Sequence, residues 1–129
     1  EFMGYRLKTS KETKDIFESL GAKTNLKPFA LSKLAIALSL KADEPIETYE
    51  ATDTEGLELN RQTIMAQYDA LFKCLMEQKA GRYLTDDEYF PDYTKKHLDR
   101  GARLLENLYE YKGNFEKLFN SLLKGEDYI

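Results

Sequence analysis

Pro28-Phe29-Ala30-Leu31-Ser32-Lys33-Leu34-Ala35-Ile36-Ala37-Leu38-Ser39-Leu40-Lys41 is the stretch that decides the fold. Pro28 suits the first turn of a helix, where its missing N–H leaves no bond unmade, and no breaker follows before Lys41. Phe29, Leu31, Leu34, Ala35, Ile36 and Leu38 leave almost no side of that helix polar. A helix so apolar must be enclosed, by its own chain or by another subunit. It is not a membrane span, because Ser32, Lys33 and Ser39 interrupt a run far shorter than the roughly 20 residues a bilayer requires.

Upstream, Tyr5-Arg6-Leu7-Lys8-Thr9 alternates apolar and basic side chains, the period-2 pattern of a short strand with one wet face. Thr9 and Glu12 have capping-box spacing, and Ile16, Phe17 and Leu20 share one face, so a first helix is predicted from about Ser10 to Leu20, ending near Gly21. Downstream, residues 42–60 dissolve into acids and turn formers around Pro45 and Gly56, a long connection with room for a short extended piece. Asn60 then caps a third helix carrying Ile64, Tyr68, Leu71, Phe72 and Leu75 to about Lys79. Thr85 and Glu88 form another capping box, Pro91 interrupts, and a longer helix is predicted from about Asp92 to Tyr111 with Leu98, Ala102, Leu105 and Leu108 inward. Asn114 caps a last helix presenting Phe115, Leu118, Phe119 and Leu122. The expected fold is mainly α, a bundle of about five helices in one domain over residues 3–129. Glu1 and Phe2 precede Met3 as a cloning remnant would.

The chain has 129 residues, 42% hydrophobic and 33% charged, which fits one globular domain and is too apolar for a disordered chain. One Cys and one His make neither a disulfide framework nor a Cys/His zinc site, and a lone thiol suits a reducing cytoplasm. The net charge of −4 conceals a division: residues 1–41 carry eight bases against four acids, while residues 42–129 are acidic. A basic segment on an acidic protein can bind phosphate locally while the remainder stays clear of it.

Catalytic chemistry finds little support. His97 stands among Lys95, Lys96 and Arg100 with no nucleophile beside it, and reads as a structural residue. Cys74 reads as a buried small hydrophobe. Asp53/Glu55 and Asp86/Asp87/Glu88 lack a calcium-loop pattern, and acids at a helix start follow from the helix dipole alone. No glycine-rich phosphate loop occurs, so ATP hydrolysis is not expected, nor is any metal or cofactor.

Two basic groups remain. Arg6 and Lys8 lie on one face of the strand, with Lys11, Lys14, Lys23, Lys27 and Lys33 on the helices and turn that follow. The start of the second helix adds free amide donors suited to phosphate. Strand, helix, turn and helix have the pattern of ribbon-helix-helix DNA binders, whose strands pair between two subunits. Lys96, Arg100 and Arg103 form the second group, read as a solvent face on which Asp99 and Glu106 pair with Arg103.

Gly56-Leu57-Glu58-Leu59-Asn60-Arg61-Gln62-Thr63, followed by Tyr68-Asp69-Ala70-Leu71, resembles the DndE family, the small subunits of bacterial DNA sulfur-modification systems. The resemblance extends to residues 31–40, to Asp87-Glu88-Tyr89-Phe90-Pro91 and to His97-Leu98-Asp99-Arg100-Gly101. It implies a place beside a cysteine desulfurase, a sulfur transferase and an ATPase in replacing a non-bridging phosphate oxygen of DNA by sulfur, and it supplies no catalytic motif. The expectation is a non-catalytic, homo-oligomeric accessory subunit. It would hold double-stranded DNA, nicked or distorted, through Arg6, Lys8, Lys11, Lys14, Lys23, Lys27, Lys33 and Arg61. The alternative is a scaffold subunit of the same complex with little DNA contact.

Overall fold

Ser10 opens the first helix: its backbone is extended and its Oγ accepts the Thr13 N–H at 3.1 Å. Helix α1 runs Lys11–Thr24. The expected Thr9–Glu12 box does not form, because Thr9 Oγ1 donates to the Ser10 carbonyl and accepts the Leu57 N–H. The helix continues through Gly21 and stops at Asn25, whose φ of 62° is the left-handed turn that asparagine tolerates. The structure is a computed structural model describing residues 5–113 with 116, 117, 120, 123 and 124. Asn114, Phe115, Leu118, Phe119 and Leu122 of the expected last helix lie outside the described residues.

Helix α2, Pro28–Lys41, forms as its sequence demands. Leu31, Ala35, Ile36 and Leu38 are buried, but Phe29 is 45% exposed. The strand β1, Arg6–Lys8, pairs antiparallel with β2, Glu58–Asn60, in the register Arg6↔Asn60, Leu7↔Leu59, Lys8↔Glu58. Its partner is therefore in the same chain. The backbone donors and acceptors that a ribbon-helix-helix protein satisfies across a dimer are satisfied here internally, so the strand supplies no reason for a second copy. Gly56 permits this pairing, since a Cβ there would overlap Thr9 Oγ1 and the Ser10 carbonyl.

Asn60 caps the next helix as expected, accepting the Gln62 N–H at 2.9 Å, but the predicted single helix is two. Helix α3, Arg61–Met65, gives way to a 3₁₀ turn at Ala66–Tyr68, and α4 resumes over Asp69–Ala80. The break is at Ala66, with φ 46° and ψ −130°. A non-glycine residue held there stores about 1–3 kcal/mol. Ala66→Gly is accordingly expected to stabilise the fold by about 1 kcal/mol after the entropy that glycine adds to the unfolded chain. A thermal melt would show Tm rising by a few degrees; an unchanged Tm would mean that Ala66 carries no strain. The break also swings the apolar stripe: Ile64 and Met65 are buried, whereas Tyr68, Leu71 and Leu75 are exposed and only Met76 of α4 is fully covered.

Thr85 and Glu88 form the reciprocal capping box of α5, Asp86–Glu88. The helix does not stop at Pro91. It widens into a π-helical stretch, Tyr89–Thr94, which absorbs the missing N–H of Pro91, and continues as α6 over Lys95–Lys112. Thr94 Oγ1 donates to the Tyr89 carbonyl at 2.8 Å inside that stretch. Helix α6 lies along α2 with α1 against it, enclosing Phe17, Leu20, Leu31, Ile36, Leu98 and Leu105. At the crossing Gly101 meets the backbone of Ala35, leaving no space for a Cβ. No helix of the described residues is long and apolar enough to cross a membrane.

Candidate nucleic-acid interface

The fold divides the expected basic group into two ends. Arg6 and Lys8 project from β1 into solvent, Arg6 lying 3.7 Å from Glu58, and Lys11 sits 3.6 Å from Asp15 at the start of α1. Lys14 follows, half-buried. Lys23 lies at the other end of α1, roughly 18 Å from Lys11 along the axis at 1.5 Å per residue. Near Lys23 the chain turns into α2, whose N-cap is Lys27, with no side-chain cap bond and no acid in the helix. Lys33 follows on α2. Among the described residues no ion pair ties Lys23, Lys27 or Lys33; Lys23 instead lies over the Tyr109 ring.

Arg61 has a different position. Its Nε and Nη2 donate to the two carboxylate oxygens of Asp69 at 2.9 and 2.7 Å, and its Nη1 donates to Asp86 at 3.1 Å. Tyr5 and Tyr89 flank the guanidinium plane at 5.3 and 4.9 Å. Bidentate pairing and two aromatic faces fasten α3 to α4, α5 and the β1 end of the chain. The bonds to Asp69 raise the Arg61 pKa above its ordinary value, and the bond from Arg61 lowers that of Asp86. In this structure Arg61 is a clamp, with its charge already met by two carboxylates.

The second basic group is also reorganised. Arg100 is buried, not on a solvent face: Nε donates to Ser39 Oγ at 2.8 Å, Nη2 to the Ser39 carbonyl at 2.7 Å and Nη1 to the Glu44 carbonyl at 2.8 Å. It thereby satisfies carbonyls at the C-terminal end of α2, where a cation is favoured. Burial pulls its pKa below the ordinary arginine value. Arg103 reaches across to Glu12 of α1 at 2.8 Å rather than to Asp99 or Glu106. Asp99 faces inward and accepts from the Ser10 N–H and Oγ, Thr13 Oγ1, Thr52 Oγ1 and Lys95 Nζ.

His97 is fully buried. Since Ser39 Oγ receives the Arg100 Nε–H, its own proton points to His97 Nδ1 at 2.8 Å, which leaves the ring proton on Nε2, buried without a partner. Burial first, then the charges of Arg100 and Lys79, push the His97 pKa down to about 3. The unfolded chain, with an ordinary histidine near 6.5, takes up a proton on acidification that the native state refuses. Stability is thus expected to be full above pH 6.5 and to fall as pH drops toward 3, by up to about 1.4 kcal/mol per pH unit. Urea unfolding at pH 6.5 and 4.5 checks this, with His97→Gln expected to flatten the fall; a His97→Gln slope as steep as that of the wild type would overturn it.

Cys74 is exposed, contrary to the burial expected from the α4 stripe, which the break at Ala66 has turned outward. The 42–53 connection lies over α6 and leaves a cleft of about 320 Å³ lined by Glu44, Tyr49, Thr52, Arg100 and Arg103 among others. Its mixed charge singles out no ligand. Phe29 and Tyr68, expected on the apolar faces of their helices, are both 45% exposed, with Lys33 Nζ 5.8 Å from one ring and 5.9 Å from the other. No sequence signal marks this meeting, because it depends on how the chain leaves Ala66.

Residues 6–113 match the family model "DNA sulphur modification protein DndE". The fold is similar to the crystal structure of DndE from Escherichia coli B7A involved in DNA phosphorothioation modification, with a TM-score of 0.66 at 18% identity over 81% of this chain and 99% of that one. It is also similar to a DndE G21/24K mutant involved in DNA phosphorothioation, with a TM-score of 0.61 at 18% identity over 80% and 97% of the two chains. No curated protein sequence matches.

Proposed function

This chain belongs to the DndE family of DNA sulphur modification proteins, and from that premise we propose that it is a non-catalytic accessory subunit that holds duplex DNA by its phosphates for the modifying enzymes. The observation that carries this reading is the passage from α1 into α2, where Lys23 lies in the last turn of one helix, Lys27 caps the next and Lys33 follows on it, with no acid in α2. Lysines on flexible stems act as point charges and read no sequence, which suits a protein that positions backbone. A nicked duplex bends at lower cost than a continuous one, so nicked or opened DNA is the preferred form, and a homo-oligomer would engage both flanks of the nick.

The log of affinity for a duplex is expected to fall linearly with the log of salt. Replacing Lys23, Lys27 and Lys33 together by Glu is expected to lower the slope by about 3 and the affinity by more than about tenfold. Unchanged affinity and slope would remove this surface from the interface. Salt-insensitive behaviour of the wild type would favour the second reading, a scaffold subunit, which the acidic balance of residues 42–129 supports.

A further inference from the structure

Phe29, on the first turn of α2, and Tyr68, on the turn before α4, are large rings left nearly half exposed. The Lys33 ammonium lies within 6 Å of both ring centroids, so it joins the two rings into one surface. Tyr68 reaches that position through the strained backbone of Ala66. A strained residue is retained where the surrounding structure over-determines it, and such residues concentrate at binding sites. Helix α2 carries Lys33 and Lys41 with Lys27 at its cap and no acid, while Asp69, the acid adjacent to Tyr68, is already held by Arg61 and the Tyr89 hydroxyl.

Two half-exposed rings beside a shared cation suit single-stranded nucleic acid, in which bases stack on ring surface that the lysine leaves open and the connecting phosphate meets the ammonium. Stacking needs bases that are unpaired, so a continuous duplex would leave the rings empty. We infer that Phe29, Lys33 and Tyr68 form a stacking platform for unpaired bases of an opened DNA strand. This rests on the DNA-binding reading above and adds base contact to the phosphate contact proposed there. A second copy of the chain is the competing occupant of these rings.

The decisive comparison is between two single strands of equal length and charge, one carrying ordinary bases and the other abasic throughout its centre, titrated into the wild-type protein at one low salt concentration. The base-bearing strand is expected to bind about tenfold more tightly. Phe29→Ala and Tyr68→Ala are each expected to erase most of that difference and to change duplex affinity by less than about twofold, while Tyr68→Phe retains it. Equal wild-type affinity for the two strands, with salt-sensitive duplex binding intact, overturns the platform and leaves the phosphate reading standing. Absence of binding to any DNA overturns that reading as well. Alanine variants that lower the molar mass in solution while preserving the preference for base-bearing strand would assign the rings to an interface between copies and overturn the platform.

Discussion

Gly101→Val is expected to lower stability by at least about 3 kcal/mol, with Tm falling by roughly 10 °C or more. The reason is the crossing of α2 and α6. A Cβ on Gly101 would overlap the carbonyl carbon and oxygen of Ala35, and backbone in the middle of a helix cannot rotate aside as a side chain can. The two helices must separate, and with them the layer containing Ile36, Leu98 and Leu105. Even Gly101→Ala is expected to destabilise, although alanine improves intrinsic helix propensity by about 1 kcal/mol. Gly21 supplies the contrast. It also lies within a helix, but its Cβ would meet only the Leu26 carbonyl at 3.2 Å. Gly21→Ala is therefore expected to be neutral or slightly stabilising. Thermal melts of the two alanine variants are expected to shift in opposite directions or by very different amounts, and similar losses at both sites would contradict a special approach at Gly101.

Asp99→Ala is expected to cost about 3 kcal/mol, because it leaves the partly buried Lys95 without its counter-charge and the Ser10, Thr13 and Thr52 donors without their acceptor. The Asp99 side chain has no solvent exposure and Lys95 Nζ donates to it at 2.7 Å. The same carboxylate accepts from Ser10 and Thr13 at the head of α1 and from Thr52 in the long connection. Three segments distant in sequence are therefore joined at one side chain. Asp99→Asn preserves the shape but removes the charge and turns one acceptor into a donor facing other donors, so it is expected to lose nearly as much. Replacing Lys95 by Met in the Asp99→Ala background is expected to restore part of the loss. Denaturant unfolding of the single and double variants measures this coupling, and strictly additive losses would contradict it.

Helix α2 was legible in the sequence because Pro28 and an unbroken apolar run leave one outcome. The Asn60 cap and the Thr85–Glu88 box were legible because each is a local arrangement of side chain and backbone. Long-range determinants were not. Nothing around Ala66 announces a break, since Met65, Ala66 and Gln67 are all good helix formers. Arg100 looked like a solvent-face residue because charges recur beside it at helical spacing, while its actual partners are on α2 and just beyond it. The carboxylate partners of Arg61 are not legible in the sequence, because Asp69 and Asp86 approach it only after α3, α4 and α5 have assembled. Lys23, Lys27 and Lys33 stand in the sequence as one group with Lys11 and Arg6, and their separation from those two required the length of α1.

The pairing of Arg6–Lys8 with Glu58–Asn60 sets an order of events during synthesis. Strand β1 has no partner until residue 60 has followed it from the ribosome, and Ser10, which opens α1, gains its bond to Asp99 later still. Contacts so far apart in sequence close large loops, and their entropy is lost before the contacts return any stability. Helices α1 and α2 can form and meet early, while the edge of β1 waits with its amides exposed. Strand β1 is thus completed only once residues 58–60 have been made, and a nascent chain stalled before residue 60 would leave that edge open to pairing with other chains.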